Sequence, residues 1–179
     1  MRITILGAGN IGLAAGTKWK AKGHDITFGV RDPQSQKAWN AINIGAKVTT
    51  FQESMTGAEV VLVAIPFGVA DEVLKSIDVE WDGKIIIDAT NPISVSTEPF
   101  ESAAEAISAW TGSADVVKAF NTTGVGNMTN PEYNGKAIET FICGDEVASK
   151  QTVSTLAQDL GFRVVDVGGI ENAVMLENL

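Results

Sequence analysis

The chain alternates short, almost wholly apolar runs with longer stretches in which apolar residues recur every three or four positions. Strands buried in a parallel sheet produce the first pattern, and amphipathic helices produce the second. The order of the runs predicts an α/β fold of Rossmann type: a doubly wound, mostly parallel sheet of about eight strands in a single domain, residues 1–179. The predicted strands are 3–6, 26–30, 47–50, 59–65, 84–88, 115–120, 137–143 and 162–167.

The regular alternation stops after the sixth predicted strand. The first five strands are expected to be parallel and joined by right-handed crossovers. Residues 126–136 are polar, contain Pro131 and show no helical period, so no helix is predicted there. The last long helix is predicted from Asp145 to Leu160, with Asp145 as a candidate cap at its start.

A glycine motif lies between the first two predicted strands. Gly7, Gly9 and Gly12 follow the first strand directly, and a helix begins there. Strand, glycine turn, helix and strand in this order form the fingerprint of a dinucleotide-binding βαβ unit. The N–H groups of Gly9, Asn10 and Ile11 have no partner within the helix and lie at its positive end, so we expect them to bind a pyrophosphate.

The end of the second strand indicates which dinucleotide binds. Sites for NAD usually carry an acid there, which accepts from the ribose 2′-hydroxyl, whereas sites for NADP place an arginine nearby. This strand ends at Val30, and Arg31 follows it. A guanidinium can hold a phosphate through two parallel hydrogen bonds, so the sequence predicts NADP(H). Asp32 could pair with Arg31 or repel the 2′-phosphate, and Ser35 could add a hydroxyl contact.

Composition narrows the classes of partner. The net charge of −9 argues against nucleic acid and against an anionic membrane surface, although the glycine turn can still bind phosphate locally. The single cysteine, Cys143, lies in an apolar run, so we expect a buried, inert thiol. The glycine motif begins at the N-terminus and no run is long enough to span a membrane, so the chain is expected to be cytoplasmic, without a signal peptide.

The carboxyl ends of the strands should form one crevice, where open α/β sheets bind their ligands. Pro66 and Phe67 offer an apolar wall for the nicotinamide ring or its ribose. Asn91, followed by Pro92, and Asn121 offer neutral hydrogen-bonding groups. Asn-Pro and Asn-Thr are also common turn sequences, so a purely local role stays open for both asparagines.

The crevice carries no His, Lys or Glu with an evident acid–base role. Lys118 lies inside the sixth strand, before its end. An enzyme that oxidises an alcohol needs a group that takes the hydroxyl proton, but hydride transfer between a nicotinamide and a flavin-like ring does not. The sequence therefore predicts no catalytic side chain and favours transfer from one cofactor ring to another.

Several motifs together resemble the NADPH:coenzyme F420 oxidoreductase family, whose domain also occurs as the reductase part of eukaryotic membrane ferric reductases. The resemblance covers essentially the whole chain and implies hydride transfer between NADPH and coenzyme F420, FMN or FAD. The motifs are MRITILGAGNIG at 1–12, GVR at 29–31, AIP at 64–66, VKAFNT at 117–122, ICGD at 142–145 and LENL at 176–179.

The resemblance also implies roles for individual positions. Ala8 to Ile11 would hold the pyrophosphate, and Val30, where members often have serine, would hold the 2′-phosphate together with Arg31. Ser35 matches a position that is basic in some members, while Ile65, Val69, Asn91 and Val125 would line the cofactor crevice. With the residues predicted above, the expected cofactor-binding set is Gly7, Ala8, Gly9, Asn10, Ile11, Gly12, Val30, Arg31, Ser35, Ile65, Pro66, Phe67, Val69, Asn91, Pro92, Asn121 and Val125, with no metal ligand.

The chain departs from the family in two places. Asn121-Thr122 stands where members that use the deazaflavin carry His-Thr, and it is closer to the ferric reductase pattern. Related enzymes continue past the Glu-Asn-Leu point into a helix that closes the site and forms a homodimer, and this helix is expected to be absent after residue 179.

A 3-hydroxy acid or imine reductase would need a long second domain. The alternative function is a non-catalytic NADP(H)-binding module that senses redox state or serves a partner.

Overall fold

A twisted sheet forms the centre of the computed structural model, which describes residues 1–179. The strands are β1 Arg2–Leu6, β2 Asp25–Val30, β3 Lys47–Thr50, β4 Val60–Val63, β5 Ile85–Asp88, β6 Val116–Ala119, β7 Glu132–Tyr133, β8 Lys136–Ala137, β9 Glu139–Gly144 and β10 Arg163–Asp166. Eight of them form one sheet in the order β10-β9-β6-β5-β4-β1-β2-β3. β1 to β6 are parallel, and β9 pairs antiparallel with β6. This confirms the predicted α/β fold with its mostly parallel sheet.

Helices cover both faces of the sheet. They are α1 Asn10–Ala21, α2 Gln36–Asn43, α3 Phe51–Ser54, α4 Phe67–Ser76, α5 Ala103–Thr111, α6 Val125–Thr129, α7 Val147–Leu160, a 3₁₀ turn Ile170–Asn172 and α8 Ala173–Glu177. Residues of α1, α2 and α7 pack with Phe28 and Phe120 on one face, while residues of α4, α5 and α8 pack with Ile86 on the other. Burial on both sides explains why the central strands are almost wholly apolar. No helix combines the length and the apolar character needed to cross a membrane.

The segment after β6 differs from the prediction. α6 and the hairpin β7–β8 occupy residues predicted to lack a helix, and the short α6 shows no period because it has barely more than one turn. Asn134 and Gly135 both have positive φ in the hairpin turn, and an Asn-Gly pair is the sequence signal that could have revealed it. The predicted cap is also wrong. α7 begins after Glu146, and the Asp145 carboxylate instead accepts from the N–H of Ile170 at 2.8 Å.

Candidate functional site

A cleft of about 690 Å³ runs along the carboxyl ends of β1, β2 and β4. β1 lies between β2 and β4 in the sheet, so the cleft opens at the point where the strand order reverses. Val125, at the start of α6, closes one end of the cleft. The predicted binding residues that line it are Gly7, Ala8, Gly9, Asn10, Ile11, Val30, Arg31, Ser35, Ile65, Pro66, Val69 and Val125.

The glycines of the turn serve two purposes: Gly7 and Gly12 are required by packing, and Gly9 leaves space for a ligand. Gly7 has φ +103, and a Cβ there would lie 2.6 Å from the carbonyl oxygen of Ala64. A Cβ on Gly12, which lies below the cleft, would come within 2.3 Å of the Gly7 carbonyl oxygen, so glycine allows α1 to pack against β1. A Cβ on Gly9 would meet nothing within 4 Å. The space beside Gly9 is therefore open towards the cleft, as close approach of a pyrophosphate requires.

The first turn of α1 offers free donors at the same place. No side chain caps this helix, and the N–H groups of Gly9, Asn10 and Ile11 donate to no protein carbonyl. Unpaired N–H groups and the positive end of the helix dipole both favour an anion. The geometry therefore suits the pyrophosphate that the sequence predicts.

Arg31 lines the cleft with its guanidinium exposed and unpaired. Asp32 follows it, but the two side chains form no ion pair, because the Asp32 carboxylate accepts instead from the N–H of Gln34 at 2.9 Å. Of the two alternatives left open for Asp32, pairing with Arg31 is therefore not realised. Arg31 keeps its donors for a ligand.

Lys37 is a second cation in the cleft, and sequence reasoning missed it. Ser35 caps α2, its hydroxyl oxygen accepting from the N–H of Ala38 at 3.3 Å. Lys37 follows in the first turn of α2 and lines the cleft together with Arg31. The sequence does contain a signal for this cation. Lys37 comes two residues after a serine that can start a helix, and the N-terminal turn of a helix is a place where N–H groups and side chains can bind an anion together.

A recess of about 280 Å³ with a mixed polar and apolar lining continues the cleft beyond Arg31. Val30, Phe51 and Val73 line both cavities. Two aliphatic side chains and one aromatic ring suit a planar base such as adenine. Phe51 and Val73 were missed because each lies in an ordinary amphipathic helix, where an apolar residue usually belongs to the core.

The opposite end of the cleft is apolar. Ala8, Ile65, Pro66 and Val125 line it. Phe67 does not join this wall as predicted. It begins α4, is 5% exposed, and stacks on Trp110 with ring centroids 5.5 Å apart, so its side chain points into the core.

Asn91 and Pro92 lie outside the main cleft. They line a separate polar cavity of about 420 Å³ between the loop after β5 and α8, with Glu101 and Glu177. Asn121 also turns away, since its amide nitrogen donates to the Leu176 carbonyl of α8 at 2.7 Å. These three residues follow β5 and β6 as predicted, but the structure joins them to α8 instead of to the cleft wall.

A buried ion cluster underlies this end of the sheet, and sequence reasoning missed it. Lys118 lies inside β6, as predicted, and is fully buried. Its ammonium group donates to the Asp88 carboxylate at 2.8 Å, the Glu177 carboxylate at 2.7 Å and the Thr90 carbonyl oxygen at 2.7 Å. A lysine in an apolar strand is a signal for such a cluster, because a buried charge needs partners. The sequence does not reveal which partners they are.

Cys143 lies opposite Lys118 in the β6–β9 pairing. It is fully buried, and burial raises the pKa of its thiol from 9.0 to about 12. A thiol with this pKa stays protonated at neutral pH and is a poor nucleophile. The expectation that the thiol is buried is confirmed, and its inertness stays a prediction.

Solved structures share this architecture. A protein assigned as an F420-dependent NADP reductase from Arthrobacter sp. FB24 superposes with a TM-score of 0.83 at 27% identity, covering 99% of this chain and 89% of the other. A 3-hydroxyisobutyrate dehydrogenase from Mycobacterium tuberculosis superposes at 0.74 but shares 17% identity, so it supports the fold alone.

Curated relatives fall into two groups. The metalloreductase STEAP3 from Rattus norvegicus is 29% identical over 98% of this chain, which spans only 36% of the relative's length. The F420-dependent NADP reductase from Methanothermobacter marburgensis is 28% identical, with 100% of this chain and 89% of the relative covered. The model of the family described as NADP oxidoreductase, coenzyme F420-dependent, matches residues 2–92, which contain the glycine turn and the first five strands. These matches confirm the predicted family, and the chain belongs to the coenzyme F420-dependent NADP oxidoreductase family.

Proposed function

We propose that the chain transfers hydride between NADPH and a second redox cofactor, a deazaflavin of the F420 type or a flavin such as FMN or FAD. Transfer runs directly from ring to ring, without a side-chain acid or base. The observation that carries the proposal is the distribution of ionisable groups in the cleft. Arg31, Asp32 and Lys37 all lie at the 2′-phosphate end, while Ala8, Ile65, Pro66 and Val125 line the other end.

The residues present suit each part of NADPH. The free N–H groups at the start of α1 suit the pyrophosphate, and the Arg31 and Lys37 cations suit the 2′-phosphate. The ring of Phe51 in the recess beyond Arg31 suits adenine. When bound, NADPH supplies a hydride from its nicotinamide, which becomes aromatic, and the reduced acceptor takes its proton from water. The apolar end excludes water from the rings and holds them at a reacting distance of roughly 3–3.5 Å.

The test is a titration of the purified protein with NADPH and NADH, followed by addition of FMN, FAD or F420 while nicotinamide absorbance is recorded. We expect tighter binding of NADPH than NADH, and oxidation of NADPH by one of the three acceptors. A ferric chelate forms a further arm, because metalloreductases are among the relatives. Oxidation by the chelate only when a flavin is present would place the flavin between NADPH and the metal.

Two results would count against the proposal. Tight NADPH binding with no oxidation by any acceptor would favour the alternative, a non-catalytic NADP(H)-binding module. Equal affinity for NADPH and NADH would show that the protein has no site for the 2′-phosphate. Lys22→Ala is a matched control for binding, since Lys22 is exposed at the far end of α1 and contacts no part of the cleft.

A further inference from the structure

The recess beyond Arg31 has a polar wall as well as an apolar one. Besides Arg31 itself, the polar residues that line it are Thr50, Gln52, Glu72 and Ser76. A ligand that enters the recess must satisfy whichever of these groups has no partner in the protein, because a polar group buried without a hydrogen bond is costly.

Two of these side chains already have partners. The Thr50 hydroxyl caps α3, accepting from the N–H of Glu53 at 3.3 Å and donating to the Glu53 carboxylate at 3.0 Å. The Gln52 amide donates to the Asp78 carbonyl at 3.0 Å and accepts from the Asp78 N–H at 2.8 Å. Both side chains therefore hold α3 in place.

Glu72 and Ser76 lie one turn apart on α4, on the side of the helix that faces the cavities. Val69 and Val73 line the main cleft, and Glu72, Val73 and Ser76 line the recess. The spacing of three, four and seven residues puts all four on one stripe of a helix. Glu72 and Ser76 are therefore placed at the recess by the same stripe that provides its apolar wall.

The Glu72 carboxylate is exposed and forms no ion pair or hydrogen bond within the protein. The single lysine of α4, Lys75, pairs instead with Asp71 on another side of the helix. The Ser76 hydroxyl spends its one proton on the Val73 carbonyl at 2.8 Å, so only its lone pairs remain. Both residues thus offer acceptors to the recess and no donor.

Two acceptors favour one class of purine. The exocyclic amino group of adenine carries two N–H donors, whereas a 6-oxo purine such as hypoxanthine carries an acceptor at the same position. A carboxylate is an acceptor only, so it repels the 6-oxo group and leaves both oxygens unpaired. The lining therefore suits a 6-amino purine.

We propose that Glu72, assisted by Ser76, is the residue that selects adenine as the base of the dinucleotide. The Glu72 carboxylate accepts from the exocyclic amino group, and Ser76 Oγ offers a second acceptor to the same group. Phe51 and Val73 supply the apolar contacts to the ring, which do not distinguish one purine from another. This inference rests on the proposed function, because it needs the adenosine end of NADPH in the recess.

The test compares NADPH with reduced nicotinamide hypoxanthine dinucleotide phosphate, which differs from it only in the 6-oxo group of the base. Isothermal titration calorimetry measures both affinities. We expect the unmodified protein to bind the hypoxanthine dinucleotide about tenfold more weakly, as the loss of a hydrogen bond to a charged group predicts. Glu72→Gln should lose most of this preference, since its amide can donate to a 6-oxo group.

The ratio of the two affinities isolates the base. Both dinucleotides carry the same phosphates, so removal of a negative charge near Arg31 changes their affinities equally and leaves the ratio as it was. A general loss of structure does the same. Ser76→Ala should lower the ratio less than Glu72→Gln, because a hydroxyl oxygen is a weaker acceptor than a carboxylate.

Glu80→Gln is the matched control. It makes the same chemical change at an exposed position that lines neither the cleft nor the recess, and it should keep the full preference for NADPH. A fall in the ratio in Glu80→Gln as large as in Glu72→Gln would overturn the assignment of Glu72.

The outcomes separate this inference from the proposed function. Equal affinity of the unmodified protein for the two dinucleotides, or an unchanged ratio in Glu72→Gln, overturns the role of Glu72 and leaves the proposed function standing. If the unmodified protein binds neither dinucleotide, the cleft is not an NADPH site and both proposals fall.

Discussion

The two ends of the proposed cofactor cleft use charge in opposite ways. At the end proposed for the 2′-phosphate, Arg31 and Lys37 line the cleft, are exposed and form no ion pair. Beneath the other end of the sheet edge, Lys118 is fully buried and donates only to groups of the protein. Exposed cations can bind an anion at small cost to the fold, whereas a buried cation stabilises the fold only while all its partners remain.

This difference predicts that substitutions at one end mainly change affinity, while those at the other mainly change stability. The glycine turn also separates residues that serve stability from residues that serve binding. Gly12 is required by the packing of α1 on β1, whereas Gly9 faces open space. The following experiments, from the largest expected effect to the smallest, either sharpen this contrast or remove it.

Lys118→Met should cause the largest loss of stability, about 3–5 kcal/mol, because it leaves the Asp88 and Glu177 carboxylates buried without their cation. Urea denaturation followed by circular dichroism measures it. Lys75→Met is the matched control: Lys75 forms an exposed ion pair with Asp71 one turn away, worth about 0.3–0.5 kcal/mol. If both substitutions lower the free energy of unfolding by the same amount, burial does not make the Lys118 ion cluster more important for stability than the exposed Lys75 pair.

Gly12→Ala should cost about 1–3 kcal/mol of stability, because its Cβ would overlap the Gly7 carbonyl oxygen and force α1 away from β1. Gly9→Ala should leave the stability almost unchanged but weaken NADPH binding, since its Cβ points into the space for the pyrophosphate. Thermal denaturation and a binding titration on both variants separate the two effects. If Gly12→Ala is as stable as the unmodified protein, the packing role of Gly12 is wrong. If Gly9→Ala binds NADPH normally, the ligand role of Gly9 is wrong.

Arg31→Ala should weaken NADPH binding by about 1.5–3 kcal/mol, the usual worth of a hydrogen bond to a charged group, and leave NADH almost unaffected. Lys37→Ala should act in the same direction but less strongly, because an ammonium group cannot form a bidentate contact with phosphate. Fluorescence titration with each dinucleotide provides the measurement. If either substitution weakens the binding of NADPH and NADH equally, the substituted cation does not contact the 2′-phosphate.

Cys143 should be the least responsive group. Its thiol should not react with Ellman's reagent at pH 8 until the protein unfolds. Its pKa rises from 9.0 to about 12 on folding, so between these pH values the unfolded chain loses the proton first. The contribution of this thiol to stability should therefore fall as pH rises from 9.0 towards 12. Cys143→Ala should remove that part of the pH dependence, and rapid labelling of the folded protein would contradict the assignment.

The sequence alone determined the fold class and predicted two parts of the proposed adenosine site, the glycine turn and Arg31. The strand pattern depends on burial by covering helices, and the glycine turn and Arg31 lie within one βαβ unit. Local order along the chain was therefore enough to place them. Lys37 was missed, although the serine cap beside it was an available signal, because an exposed lysine is common on the surface of any helix.

The surroundings of the proposed nicotinamide half were decided by tertiary structure. Phe67 looked like part of the crevice, but α5 supplies Trp110 as its partner and draws the ring into the core. Asn121 looked equally available, but α8 binds its amide. Lys118 obtains its partners from β5, the loop after it and α8, segments that are distant in sequence. Residue type and spacing show that a buried charge must be neutralised, but only the packing of the elements determines which groups neutralise it.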